Sequence, residues 1–124
     1  MKRIIVSLIL ISLLGVGCGQ MVNQPKDIVQ ELPSDKMILF VGKDCPHCEV
    51  VENKLSDDYK STPIDIKEVF NDNQNANLLV QALRVCGQSL DSAGVPLLWN
   101  GRGCYQGDED VLNYLKSYKE NNSK

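Results

Sequence analysis

Runs of apolar residues divide the chain into short blocks, and the period of each block predicts its element. Met37-Ile38-Leu39-Phe40-Val41 is a continuous apolar run of strand length, the pattern of a strand covered on both faces, and Gly42 breaks it. From Pro46 to about Ser56, Val51 and Leu55 keep helical spacing beside Cys48, and Pro46 suits a first helical position. Ile64 and Ile66 alternate into Val69-Phe70 and predict a second strand. Asn71-Asp72-Asn73 offers N-cap residues to a helix whose stripe is Ala76, Leu79, Val80 and Leu83 and which Gly87 ends. Pro96-Leu97-Leu98-Trp99 predicts a strand, Asn100-Gly101 a hairpin turn, and Gly103 to Gln106 the returning strand. After Gly107, Asp108 is the expected cap of a last helix carrying Val111, Leu112, Leu115 and Tyr118 on one side. A short helix over Ile28, Val29 and Leu32, stopped by Pro33, precedes them all. The order (α)βαβαββα predicts an α/β fold, a central mixed β-sheet of about four strands flanked by helices.

The first block has a different character. Met1 to Arg3 are basic at the start, Ile4 to Leu14 carry no charge, and small residues follow at Gly15, Val16 and Gly17. That apolar run is too short to span a bilayer comfortably and reads as a secretory signal peptide over residues 1–17. Cys18 comes next. Leu14-Gly15-Val16-Gly17-Cys18 resembles a bacterial lipobox, in which cleavage precedes a diacylated Cys; Gly17 fits the pattern, whereas Gly15 stands where an aliphatic residue is usual. The alternative is an ordinary signal peptide with a chance Cys at its end. Residues 18–25 then read as a tether, 26–120 as one domain and 121–124 as a polar tail.

Charge and cysteine count narrow the function. With 13 basic and 16 acidic residues the chain has a net charge of −3, so it has no basic field to hold nucleic acid. Loss of Lys2 and Arg3 with the signal makes the mature protein more acidic still. One His leaves little room for a His-rich metal site or a Ser-His-Asp triad. Five Cys is an odd number for an exported protein, and assigning Cys18 to lipid leaves Cys45, Cys48, Cys86 and Cys104, enough for two pairs.

Cys45-Pro46-His47-Cys48 carries the chemistry. A strand, a sharp loop and a helix whose first turn holds C-x-x-C place Cys45 where helix N–H groups and the macrodipole favour a thiolate. Cys48, one turn further in, can attack a mixed disulfide formed at Cys45. Pro46 fixes the turn, and His47 adds partial positive charge that favours the thiolate and raises the reduction potential; Asp44 acts the other way and Lys43 partly cancels it. Three other readings are weaker. A structural zinc site needs a second C-x-x-C or H-x-H, and Cys86 and Cys104 are single and far apart. A Cys-His hydrolase needs a separate facing His, which His47 at i+2 is not. A purely structural C-x-x-C disulfide is at odds with the strand-to-helix turn.

Phe40-Val41-Gly42-x-x-Cys45-Pro46-His47-Cys48, with Gly94-Val95-Pro96 about fifty residues later and Asn100-Gly101 beyond, resembles the thioredoxin superfamily over approximately residues 36–118. C-P-H-C and Val before the proline look like the DsbA-type disulfide oxidases; the length and element order look more like a glutaredoxin or a minimal thioredoxin. Cys86 together with Gly94-Val95-Pro96, Trp99 and Tyr105-x-Gly107 is also similar to thioredoxin-like domains fused to vitamin K epoxide reductase homologues. The resemblance implies a thioredoxin-like fold with a cis Val95–Pro96 bond facing the active-site disulfide. Departures are specific: Asp44 replaces a Trp, Leu39 a buried Asp, and Gly42 and Gln106-Gly107 the Lys and Gly-Gly of glutaredoxins, which argues against glutathione binding.

The expected activity is therefore that of an enzyme, a lipid-anchored thiol–disulfide oxidoreductase on the extracytoplasmic side of a bacterial membrane. Cys45 exchanges, Cys48 resolves, and Val95 and Pro96 hold the partner chain. Its partners would be exported thiol or disulfide proteins and a membrane redox protein; a monomer without cofactor or metal is expected. The alternative from another class is a lipid-anchored copper-binding protein or metallochaperone using Cys45, Cys48 and His47. For Cys86 and Cys104 three states stay open: a structural disulfide closing a loop of about twenty residues, two buried thiols, or a second redox pair.

Overall fold

A computed structural model describes residues 30–123. The expected signal peptide, Cys18, the tether, and Ile28 and Val29 of the first expected helix lie outside the described residues.

The elements run β1 (Met37–Val41), α1 (Pro46–Asp58), β2 (Ile64–Glu68), α2 (Asn73–Val85), β3 (Leu97–Trp99), β4 (Cys104–Gln106) and α3 (Asp108–Asn122), with a 3₁₀ turn at Leu90–Ser92 before β3. The sheet order is β2-β1-β3-β4. β1 and β2 are parallel with Leu39 opposite Ile66, whereas β3 is antiparallel to both β1 and β4. This is the expected α/β thioredoxin-like architecture with a four-stranded mixed sheet.

The continuous apolar run of β1 is explained by its central place, since all five residues are buried between two layers. Met37, Leu39 and Val41 alternate toward one face, where Leu98 of β3 meets Val51 and Leu55 of α1 and Val111 and Leu115 of α3. Ile38 and Phe40 point to the other, against Leu78, Ala82 and Leu83 of α2 with Leu97 and Trp99. The strand period of two thus decides which helix each residue meets.

Helix α2 is bounded as its sequence requires. Asp72 accepts N–H bonds from Gln74 and Asn75 at 2.8 and 3.1 Å. At the other end Gly87, at φ 66, lets Gln88 N–H donate to Leu83 O and Gly87 N–H to Arg84 O, a Schellman stop.

Four details differ from the sequence expectation. The described part of the first expected helix, Gln30 to Pro33, is not helical. Pro33 disfavours the helical region for Leu32, and the Trp99 indole N–H holds Pro33 O at 2.7 Å while Leu32 packs on the α2-side core. β2 stops at Glu68, because the Glu68 side chain takes the Phe70 and Asn71 N–H groups and turns the chain. The hairpin uses four residues, with Asn100 Oδ1 accepting from Arg102 and Gly103 N–H and Gly101 at φ 91. α3 starts after Gly107, which has no side chain to cap it, and extends through Asn122 into the expected polar tail.

Candidate functional site

The site is built where β1 ends and α1 begins. Between them Asp44 sits at φ 55, the one non-Gly residue in the left-handed region among those described. That turn reverses the chain and leaves Cys45 as the N-cap of α1. Its sulfur accepts the Cys48 N–H at 3.2 Å, the role a Ser or Asp oxygen usually fills. Pro46 follows at the first helical position, where no N–H is needed.

Cys45 and Cys48 are joined as a disulfide with Cα atoms 5.2 Å apart. They are not equivalent. Cys48 is 1% exposed and heads the inward stripe with Val51 and Leu55, whereas Cys45 is half-buried. The N-terminal placement of Cys45 directs helix N–H groups at its sulfur, which stabilises a thiolate there once the bond opens.

The Val95–Pro96 bond is cis, and Pro96 is fully buried at the entry to β3. The Val95 carbonyl oxygen lies 3.8 Å from Cys45 Sγ. Gly107 N–H donates to Pro96 O at 2.8 Å and Gln106 Nε2 to Ser92 O at 3.1 Å, so β4 fastens the segment that faces the disulfide. Cys86, the C-cap of α2, is disulfide-bonded to Cys104 on β4, with Cα atoms 6.0 Å apart. The structure therefore brings Cys45, Pro46, Cys48, Val95 and Pro96 together and holds Cys86 and Cys104 as a separate pair.

His47 is adjacent in sequence but faces outward, with its side chain 73% exposed. Its Nδ1–H donates to Asp108 Oδ2 at 3.2 Å. The Asp108 carboxyl, assigned above to capping α3, thus pairs with His47 instead; the bond from His47 holds its pKa below the ordinary value against the opposing effect of partial burial. No local pattern pointed to this contact, because the two residues are 61 positions apart.

Glu68 is the other residue the sequence did not single out. Its carboxylate accepts N–H bonds from Lys43 (3.2 Å), Phe70 (2.7 Å) and Asn71 (2.9 Å), tying the loop before Cys45 to the β2–α2 turn. Partial burial disfavours the charge, but these backbone donors outweigh it, and the pKa lies below 4.5. A Glu ending a strand just before an Asn-Asp turn was the available signal. Phe70, 64% exposed, lies over Gly42, where a Cβ would overlap its ring. Among the described residues no three His, Cys, Asp or Glu side chains converge to hold a metal ion.

Comparison with known proteins supports the architecture. No protein-family model matches the chain and no curated protein matches its sequence. Among solved structures, it is similar to buckwheat glutaredoxin in complex with glutathione, at 17% identity, TM-score 0.52, over 74% of this chain and 78% of that one. The holo form of glutaredoxin C1 from Populus tremula x tremuloides gives 18% identity, TM-score 0.51 and coverage of 73% and 84%. Mutated buckwheat glutaredoxin gives 16% identity and TM-score 0.52 over 74% and 78%. At these identities the likeness is one of fold.

Proposed function

We propose that the protein is an extracytoplasmic thiol–disulfide oxidoreductase, tethered to a membrane through a lipid on Cys18. The observation that carries the redox reading is the asymmetric pair: a half-buried Cys45 at a helix N-cap, bonded to a buried Cys48 and faced by the Val95 carbonyl at 3.8 Å.

In the oxidising direction a substrate thiolate attacks Cys45 Sγ. A mixed disulfide forms and Cys48 leaves as a thiolate. A second substrate thiolate then attacks the substrate sulfur and releases Cys45, so the substrate loses two electrons to the Cys45–Cys48 pair and the pair takes up two protons as dithiol. In the reducing direction Cys45 attacks a substrate disulfide and Cys48 expels the product. The Val95–Pro96 segment, bent at its cis bond, offers a partner chain the Val95 backbone beside the reacting sulfur.

The export signal, the lipobox-like residues before Cys18 and the even number of remaining cysteines support the tether and an oxidising compartment. The C-P-H-C sequence supports DsbA-like chemistry.

Trapping tests the assignment. Cys48→Ala accumulates mixed disulfides with exported proteins and Cys45→Ala does not; the reverse pattern overturns it. Fatty-acid labelling that Cys18→Ser abolishes tests the anchor. The equilibrium potential gives the direction: about −120 mV marks an oxidase and about −270 mV a reductase.

A further inference from the structure

A surface leading to Cys45 from a different side is unused in this reaction scheme. A hollow of about 400 Å³ runs between the start of α1 and β2, lined by Cys45, Asp44, Glu49, Glu52, Ile66 and Glu68 among others. A second, of about 380 Å³, continues along the same helix past Leu55 to Tyr59. The two share Glu52 and Ile66 and so form one trough. Neither is lined by Val95 or Pro96. From Cys45 to Tyr59 the helix rise gives a length of about 20 Å, room for about six residues of extended chain.

Three features describe its occupant. The floor is partly apolar, with Ile66 46% exposed on β2, and β2 is an edge strand that no further strand flanks among the described residues, its Ile64 N–H and Glu68 O being taken by Thr62 O and the Asn75 side chain. One end of the trough is lined by the half-buried Cys45. Its walls near Cys45 are acidic: Asp44, Glu49 and Glu52 pair with no cation among the described residues, and Glu68 is held ionised by its N–H donors, against Lys43 on the same lining and Lys60 at the far end of the trough.

We propose that this trough docks an extended, positively charged stretch of polypeptide whose cysteine reacts at Cys45. The proposal rests on the redox reading above and adds the substrate class: cationic cysteine-bearing chains, with glutathione, which has two carboxylates and one ammonium, disfavoured.

Oxidised protein is mixed at low ionic strength with three peptides that differ only in charge, Lys-Ala-Cys-Ala-Lys, its Gln form and its Glu form, and with glutathione and dithiothreitol. Each peptide rate is divided by that peptide's rate with a small neutral disulfide, which removes its intrinsic thiol reactivity. The Lys peptide is expected to react about ten-fold faster than the Glu peptide, with the preference shrinking toward unity at high salt. Glutathione falls in the slow class. Glu49→Gln with Glu52→Gln reduces the preference severalfold and Glu49→Lys with Glu52→Lys inverts it, each peptide rate being taken relative to the same variant's own rate with dithiothreitol. Asp35→Asn with Glu120→Gln, an equal charge change outside the trough, leaves the preference intact. Equal rates for the three peptides, or a preference that survives the Glu49 and Glu52 changes, overturn the docking surface alone. Rates that fall as the protein's own concentration rises would put a second copy in the trough and overturn it too. If dithiothreitol also fails to reduce Cys45–Cys48, the redox reading falls and takes this one with it.

Discussion

Replacing both Cys86 and Cys104 with Ala tests how the second disulfide acts. The bond joins residues 18 positions apart and encloses the 3₁₀ turn, the Val95–Pro96 segment, β3 and the hairpin. In the folded state that region is held by other bonds as well: Gly107 N–H to Pro96 O, Gln106 Nε2 to Ser92 O, and the pairing of β3 with β1 and β4. The cost of removal therefore lies mostly in the unfolded chain, which regains the freedom of the open loop. For a loop of this size that is about 3 kcal/mol. Against a stability of about 5–10 kcal/mol for a domain this small, the loss is about 30–60% of the total. It lowers Tm by about 12–24 °C at the usual 4–8 °C per kcal/mol. Thermal unfolding by circular dichroism of the oxidised wild type and the double variant measures it, with Cys45→Ala/Cys48→Ala as the comparison. Below its Tm the Cys86 and Cys104 variant should still exchange disulfides at Cys45, because the bonds that place Val95 persist. A Tm loss under about 4 °C would refute the loop argument. So would alkylation of Cys86 and Cys104 in the oxidised, unfolded wild type.

Glu68→Gln should destabilise the protein at neutral pH by weakening the acceptor of three N–H groups. Because the folded pKa of Glu68 is depressed, its contribution is present above the unfolded value of 4.5 and is lost as pH falls through the folded value, so the wild-type and variant Tm curves should converge there. Asp44→Val should cost about 1–2 kcal/mol, since a β-branched residue resists the left-handed region, whereas Asp44→Gly should not destabilise; urea unfolding of the pair separates them. Trp99→Phe should lose about 1–3 kcal/mol through the missing bond to Pro33 O and the smaller ring, read from the same urea midpoints.

The elements that were legible are those in which local sequence and burial agree. β1 is apolar at every position because both of its faces are covered, and α2 has its expected cap and stop, although its buried face is Leu78, Ala82 and Leu83, with Ala76 and Leu79 of the expected stripe only partly buried. The C-x-x-C turn was legible for the same reason: strand end, thiol, proline and helix stripe lie within about fifteen residues, and the fold has only to join them. What escaped the reading was set by side-chain bonds to the backbone, some local, as at Glu68 and Asn100, and some between distant residues. Leu32 lies before Pro33, where a brief apolar spacing resembles a helix, yet its conformation follows from Trp99, 66 positions beyond Pro33.

Asp108 makes the same point at the site itself. After Gly107 and before an amphipathic stripe, an Asp is a good N-cap by local rules, and those rules are sound where no competitor exists, as Asp72 shows. At Asp108 a competitor does exist, because α3 packs beside α1 and its first residue reaches the imidazole in the C-x-x-C turn. The consequence concerns the chemistry. A His between two cysteines suggests a positive charge available to a thiolate at Cys45, but here the ring bonds to a carboxylate in an exposed setting where solvent screens both. Whatever stabilises the Cys45 thiolate must then come mainly from the first turn of α1, where the Cys48 N–H already reaches the Cys45 sulfur.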